Sequence, residues 1–113
     1  MKVHDVLALV RERHQAPEPW LEFLRVPTLS VGIYRLRAGA SDLQEPHSED
    51  EVYYVLEGRG VLQVDGKDVP VFPGALAFVA AKAEHRFHSI AEALALLVFF
   101  APAEGSTGAA ETD

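Results

Sequence analysis

The sequence predicts an all-β fold, an antiparallel barrel or sandwich preceded by one short helix. Two observations predict it. From Trp20 onward apolar residues recur with a period of two, in short runs each bounded by Gly, Pro or Asp. Ahead of them lies a single stretch with helical spacing. A chain of 113 residues makes one domain. With 49% apolar residues it has enough material for a core.

The helix falls within residues 1–19, together with the linker that ends it. Val3, Val6, Leu7 and Val10 share one face, Asp5 stands near the start, and Arg11, Arg13 and His14 occupy the last turn. Each charge sits at the helix end whose dipole it complements. Pro17 and Pro19 stop the helix. Its apolar stripe must cover either its own barrel or a second subunit. Residues 20–102 form the barrel, and residues 103–113, small and polar with three acids, read as a disordered acidic tail.

Within the barrel, residues 29–36 alternate apolar and small or polar types, and residues 52–56 are rich in residues that suit a pleated sheet. Residues 61–64 follow after Gly58-Arg59-Gly60, which predicts a hairpin between the two runs. Asp65-Gly66 is the strongest short turn signal in the chain. Further runs at 69–72, 76–79, 85–90 and 94–100 bring the total to eight or nine strands.

Composition removes whole classes of function. Cysteine is absent, which excludes disulfides, thiolate metal sites and a cysteine nucleophile. The formal charge is -7 with no run of Lys or Arg, so a nucleic-acid face is not expected. The longest apolar run, residues 93–101, is about half of a membrane span, and the N-terminus lacks the pattern of a signal peptide. The expectation is a cytoplasmic protein with no membrane partner.

The chemistry concentrates in residues 39–58. Asp42, Glu45, Glu49, Asp50 and Glu51 put five acids into ten residues with no base among them. On a strand, residues two apart share a face, so Glu45 and His47 point the same way. Glu51 has the same parity and re-enters beside them after a short turn, and His85 comes from a distant strand across the lumen. Two imidazoles and one or two carboxylates then converge. An acidic surface loop is the competing explanation. A divalent cation would relieve two ionised carboxylates facing an apolar lumen. Two His and one carboxylate are the ligand set of non-haem iron sites, and the same donors suit Mn, Ni or Zn.

The spacing of these residues resembles the cupin family. Its first motif runs Gly, five residues, His-x-His, three or four residues, Glu, six residues, Gly. Here Gly39, Glu45-Pro46-His47, Glu51 and Gly58 keep every interval, with Glu45 where the family has its first histidine. In the second motif Gly74 and His85 stand in place, while Ala80, Lys82 and Ser89 replace the family's Pro, Gly and Asn. The resemblance implies a jelly-roll barrel and a divalent metal (Fe, Mn, Ni or Zn) held by His47, Glu51 and His85. Glu45 is expected to complete the set, or else to serve as a base held off the metal. Gln44, of opposite parity, should point away unless Pro46 forces a bulge. Tyr53 shares the parity of Glu51 and is the candidate acid or substrate contact, with wall packing as its alternative. Phe78 and Phe87 should line the pocket or core. Arg35 and Arg37 would grip an anion or form a solvated face.

The function expected is a small metal-binding cupin, an oxidoreductase of dioxygenase type acting on a small organic molecule. The alternatives are a metal-dependent isomerase and a non-catalytic ligand- or metal-binding barrel. The apolar helix and the apolar last strand point to a homodimer.

Overall fold

A computed structural model describes residues 1–106 of the chain. It contains helix α1 (Val6–Arg13) and six strands: β1 (Trp20–Val26), β2 (Leu29–Leu36), β3 (Asp50–Val64), β4 (Lys67–Val71), β5 (Leu76–Val79) and β6 (His85–Ala101). All pairings are antiparallel, in the order β1-β2-β6-β3-β4, with β5 also on β3. The sheet is curled but not closed, since β1 and β4 remain its edges.

The strand count is lower than the sequence predicts because two strands are long and bent. Gly58-Arg59-Gly60 is no hairpin: β3 runs straight through it, paired with β6 along most of its length. Three register shifts between Val55 and Val61 bend the ladder there, as β-bulges do. Gly58 makes the corner possible. Its φ is +91°, and a Cβ would lie 2.1 Å from the Ala93 carbonyl oxygen. Only glycine fits both conditions. The Asp65-Gly66 turn does form a hairpin, β3 to β4, with φ of +48° and +81° at its two central residues.

The helix starts where Asp5 accepts a hydrogen bond from the Ala8 N–H at 3.1 Å. Val10 is buried against Ile33 and Ala95, with Val6 and Leu9 beside it, so this face covers the chain's own sheet, while Val3 and Leu7 of the expected stripe are exposed. Arg35 holds the segment after it, donating to the carbonyls of His14 and Ala16. The main core lies inside the curl and includes Leu36, Tyr53, Val55, Phe87, Leu94, Leu96, Val98 and Phe100. Phe78 corrects its expected place: it is 61% exposed on the outer face, while its neighbour Val79 turns inward. Phe87 is buried, edge-on to Tyr53 at 4.9 Å.

The segment after β6 is another correction. Ala103 is buried and Glu104 half-buried, tied down by a hydrogen bond from the Glu104 N–H to Ser30 Oγ at 2.9 Å. The rest of the expected disordered tail, residues 107–113, lies outside the described residues.

Candidate metal centre

Glu51 and His85 sit near opposite ends of one ladder. Glu51 pairs with Phe100 near the start of β3, and His85 pairs with Val64 at its end. A flat ladder would hold them many residues apart. The bend at Gly58 folds it back, and Glu51 Oε1 comes to 3.2 Å from His85 Nε2. The two side chains are 2% and 1% exposed. His47 joins from the loop between β2 and β3, and donor atoms of His47, Glu51 and His85 all lie within 4.8 Å of one another.

Two of these groups have surroundings that an ion would suit. The His85 Nδ1 faces the Ala83 carbonyl at 3.0 Å. A proton there leaves the Nε2 lone pair directed at Glu51 and the cavity, the tautomer in which histidine binds a metal. Neither Glu51 oxygen has a hydrogen bond of good geometry, although both are buried. A buried carboxylate without donors is costly, and a divalent cation between it and the two imidazoles removes that cost. The donor set therefore fits a divalent metal.

The pKa shifts express the same crowding. Burial alone would lower the His85 pKa, but contact with Glu51 and the Ala83 carbonyl outweighs it and the net shift is upward. Burial, reinforced by the Glu51 charge, pushes the Tyr53 phenol well above its ordinary value. Tyr53 therefore stays protonated. Its hydroxyl lies 3.0 Å from Gln44 Oε1, to which it donates, and 3.1 Å from His85 Nε2.

Gln44 and Glu45 exchange the places expected of them. Residues 41–49 form no strand, so period-two parity does not apply to them. Glu45 is exposed and is not among the residues whose donor atoms gather within 4.8 Å of one another. It corrects the expectation of a fourth ligand. Gln44 faces the cavity instead, its Oε1 3.4 Å from His47 Nε2.

Asp42 explains the inversion. It is 5% exposed, and its carboxylate accepts three hydrogen bonds: from Tyr34 Oη at 2.8 Å, Gln44 Nε2 at 2.7 Å and the Phe87 N–H at 2.8 Å. This anchor pins the loop to two strands and turns the Gln44 oxygen toward Tyr53 and His47. The acid run held the signal for it, but composition does not say which of the five acids are buried, and Asp42, Glu49 and Glu51 all are.

The cavity beside these residues measures about 170 Å3 and is walled by Trp20, Tyr34, Val98 and Phe100, with Glu104 at one side. Trp20, Tyr34, Phe100 and Glu104 escaped the sequence reading because each belongs to a segment with no motif. Trp20 reaches the cavity by lying across Gly32, where a Cβ would stand 2.3 Å from its ring.

Comparison with known proteins decides the family. The model of the cupin domain matches residues 32–100, more than half of the chain. The chain is a cupin. A protein of Streptomyces coelicolor described as uncharacterised is 41% identical over 92% of this cupin and 99% of its own length. A solved structure of a protein from Thermus thermophilus is 30% identical, with a TM-score of 0.72, over 91% of this cupin and 99% of that chain. A predicted oxalate decarboxylase from Thermotoga maritima is 26% identical, with a TM-score of 0.64, over 74% of this cupin and 78% of that chain. No helix among the described residues is long and apolar enough to cross a membrane.

Proposed function

We propose that this cupin binds one divalent metal through His47, Glu51 and His85 and uses it to transform a small organic molecule. One observation carries the reading: a fully buried Glu51 whose oxygens make no hydrogen bond of good geometry, facing two histidines within ligand reach. Two imidazoles and one carboxylate leave open positions on an ion, the arrangement that non-haem iron oxygenases use. A dioxygenase-type oxidoreductase is the preferred reaction class. When bound, the metal would supply a Lewis acid and a site for oxygen or an oxyanion.

The chain's own residues divide the remaining work. Ala83 fixes the His85 tautomer, Asp42 fixes Gln44, and Gln44 holds the Tyr53 hydroxyl. Tyr53, kept protonated by burial, is placed to give or share a proton at its Oη beside the metal position. That placement supports a second reading, a metal-dependent isomerase in which Tyr53 moves a proton on the substrate. Trp20, Phe100 and Val98 give the cavity an apolar wall on one side.

Metal content of untagged protein, measured by mass spectrometry, tests the proposal. About one ion per chain is expected in the wild type and none in Glu51→Gln or His85→Ala. Because Glu51→Gln also removes a buried charge without donors, its metal-free form should be no less stable than the metal-free wild type. Absence of metal from the wild type, with no thermal stabilisation on adding Fe, Mn, Ni or Zn, overturns the reading.

A homodimer is also proposed. Leu76 at 67%, Phe78 at 61% and Val69 at 57% exposure leave apolar surface on the β4 and β5 side of the sheet, and such surface favours association. Light scattering on a size-exclusion column reads it directly, and a monomer sinks it.

A further inference from the structure

We propose that the cleft between the linker after α1 and the loop after β2 binds a small organic anion with an apolar body, at a site separate from the metal centre. Charge points there first. The chain carries a formal charge of -7, and the cavity beside the metal ligands and the cleft beside the β3–β4 turn both have carboxylates in their walls. Among the described residues this cleft has none. Its charged side chains are two guanidiniums, Arg35 and Arg37. Neither of them pairs with a carboxylate among the described residues.

The two arginines are held differently. Arg35 donates to the carbonyls of His14 and Ala16, which fixes the group in the wall and leaves its charge without a counter-charge. Arg37 is exposed, and among the described residues nothing accepts a hydrogen bond from its side chain. Its backbone is nonetheless fixed. The Arg37 carbonyl accepts from the Ala40 N–H at 3.0 Å, and the Gly39 N–H donates to the Ile90 carbonyl at 2.9 Å. A guanidinium with its donors unused suits a carboxylate or a phosphate, because its planar fork takes two oxygens at once. Arg37 supplies the contact, and Arg35 adds a second positive charge to the wall.

The rest of the wall suits an apolar body. Pro17, Pro19 and Leu36 line the cleft, and Leu43 lines it while 87% exposed. Covering Leu43 takes apolar surface out of water, which favours a ligand with a ring or a short chain over a bare ion. The cleft measures about 460 Å3, within the ~300–1,000 Å3 typical of small-molecule sites. Tyr34 and Gln44 line both this cleft and the cavity beside the metal ligands, so the two spaces share a wall. None of His47, Glu51 and His85 lines the cleft, and its ligand is therefore not a ligand of the metal.

Isothermal titration calorimetry at low salt tests the site, on the protein as purified and after chelator treatment. The probes are phenylacetate, phenyl phosphate, the neutral 2-phenylethanol, the cation benzylammonium, and acetate, which lacks the ring. One saturable site per chain is expected for an aromatic anion in both preparations, and the tighter of the two tells a carboxylate ligand from a phosphate. The alcohol and acetate should each bind about tenfold more weakly, and the ammonium not at all. Arg37→Gln should weaken the anion about tenfold, and Arg37→Glu should abolish its binding. Arg59→Gln makes the same change of charge at an exposed position outside the cleft and should leave affinity unchanged. Thermal melts check that each variant folds. No saturable binding of either aromatic anion, equal binding of the alcohol, the ammonium or acetate, unchanged affinity in Arg37→Gln, or an equal loss in Arg59→Gln overturns the proposal. Binding that disappears on chelation also overturns it, since the anion would then sit on the metal. Protein that holds no metal but binds the anion sinks the metal reading alone.

Discussion

The two sides of the site are built on different principles. Glu51 and His85 stand on the two regular arms of one ladder, on either side of its register shifts, and within each arm a residue's direction follows from its number. Gln44, Glu45 and His47 stand on a loop that the buried Asp42 carboxylate ties to two strands. On the ladder, Glu51 and His85 meet as their spacing leads one to expect, although Phe78 on β5 does not turn inward. On the loop, the same counting placed Glu45 inward and Gln44 outward, and the structure has them the other way round. Parity is a property of paired strands and has no meaning where the backbone is not extended.

Breaking the ladder should have the largest effect. Gly58→Ala puts a Cβ on the Ala93 carbonyl at a positive φ, and we expect a loss of about 3 kcal/mol or more in urea unfolding. Metal binding should fall with it, because the corner is what returns His85 to Glu51. If Gly58→Ala folds with normal stability, the bend is not the device described here.

Breaking the loop comes next. Asp42→Ala leaves the Tyr34 hydroxyl, the Gln44 amide and the buried Phe87 N–H without their acceptor, a loss of about 2–3 kcal/mol. Metal affinity should drop further than the stability change explains, since Gln44 is released. Parallel chemical denaturation and metal titration of the variant would reveal an equal drop in both, which would reduce Asp42 to a core residue.

A pH series sharpens the comparison from the ladder side. His85 binds its proton more tightly in the folded chain than at its ordinary value of 6.5. The stability this gives the metal-free protein is therefore complete below pH 6.5 and is lost as pH rises through the higher folded value. Metal affinity should move the other way, rising over the same interval as the competing proton leaves. His85→Gln should flatten the metal-free profile. A profile that stays steep in that variant assigns the titration to another group.

The smallest effect belongs to Glu45. Glu45→Ala should change stability by no more than about 0.5 kcal/mol and leave metal affinity unchanged, whereas Gln44→Ala should weaken it. Calorimetric metal titration of the pair decides between them, and the opposite ranking restores Glu45 to the site.

Much of the protein was legible beforehand. The antiparallel all-β class followed from short alternating runs, the helix from its apolar spacing, and the β3–β4 turn from Asp65-Gly66. His47, Glu51 and His85 followed from intervals that match the cupin motifs. The strand count was not legible, because Gly58-Arg59-Gly60 has the composition of a turn and serves as a bend. Composition shows that a glycine frees the backbone there, and only the ladder on the far side shows which way the chain goes.

By itself, then, the amino-acid order determined the local periodicities, the absence of thiol chemistry, and the three residues able to hold an ion. These depend on near neighbours and on counting. Tertiary structure decided which acids of the run are buried, which of Gln44 and Glu45 enters the cavity, and that Trp20 and Glu104 wall it. Each of those depends on long-range hydrogen bonds and on backbones brought close by a bend. Asp42 reaches across to Phe87, Glu104 to Ser30 and Trp20 over Gly32, and no interval along the chain encodes such a meeting.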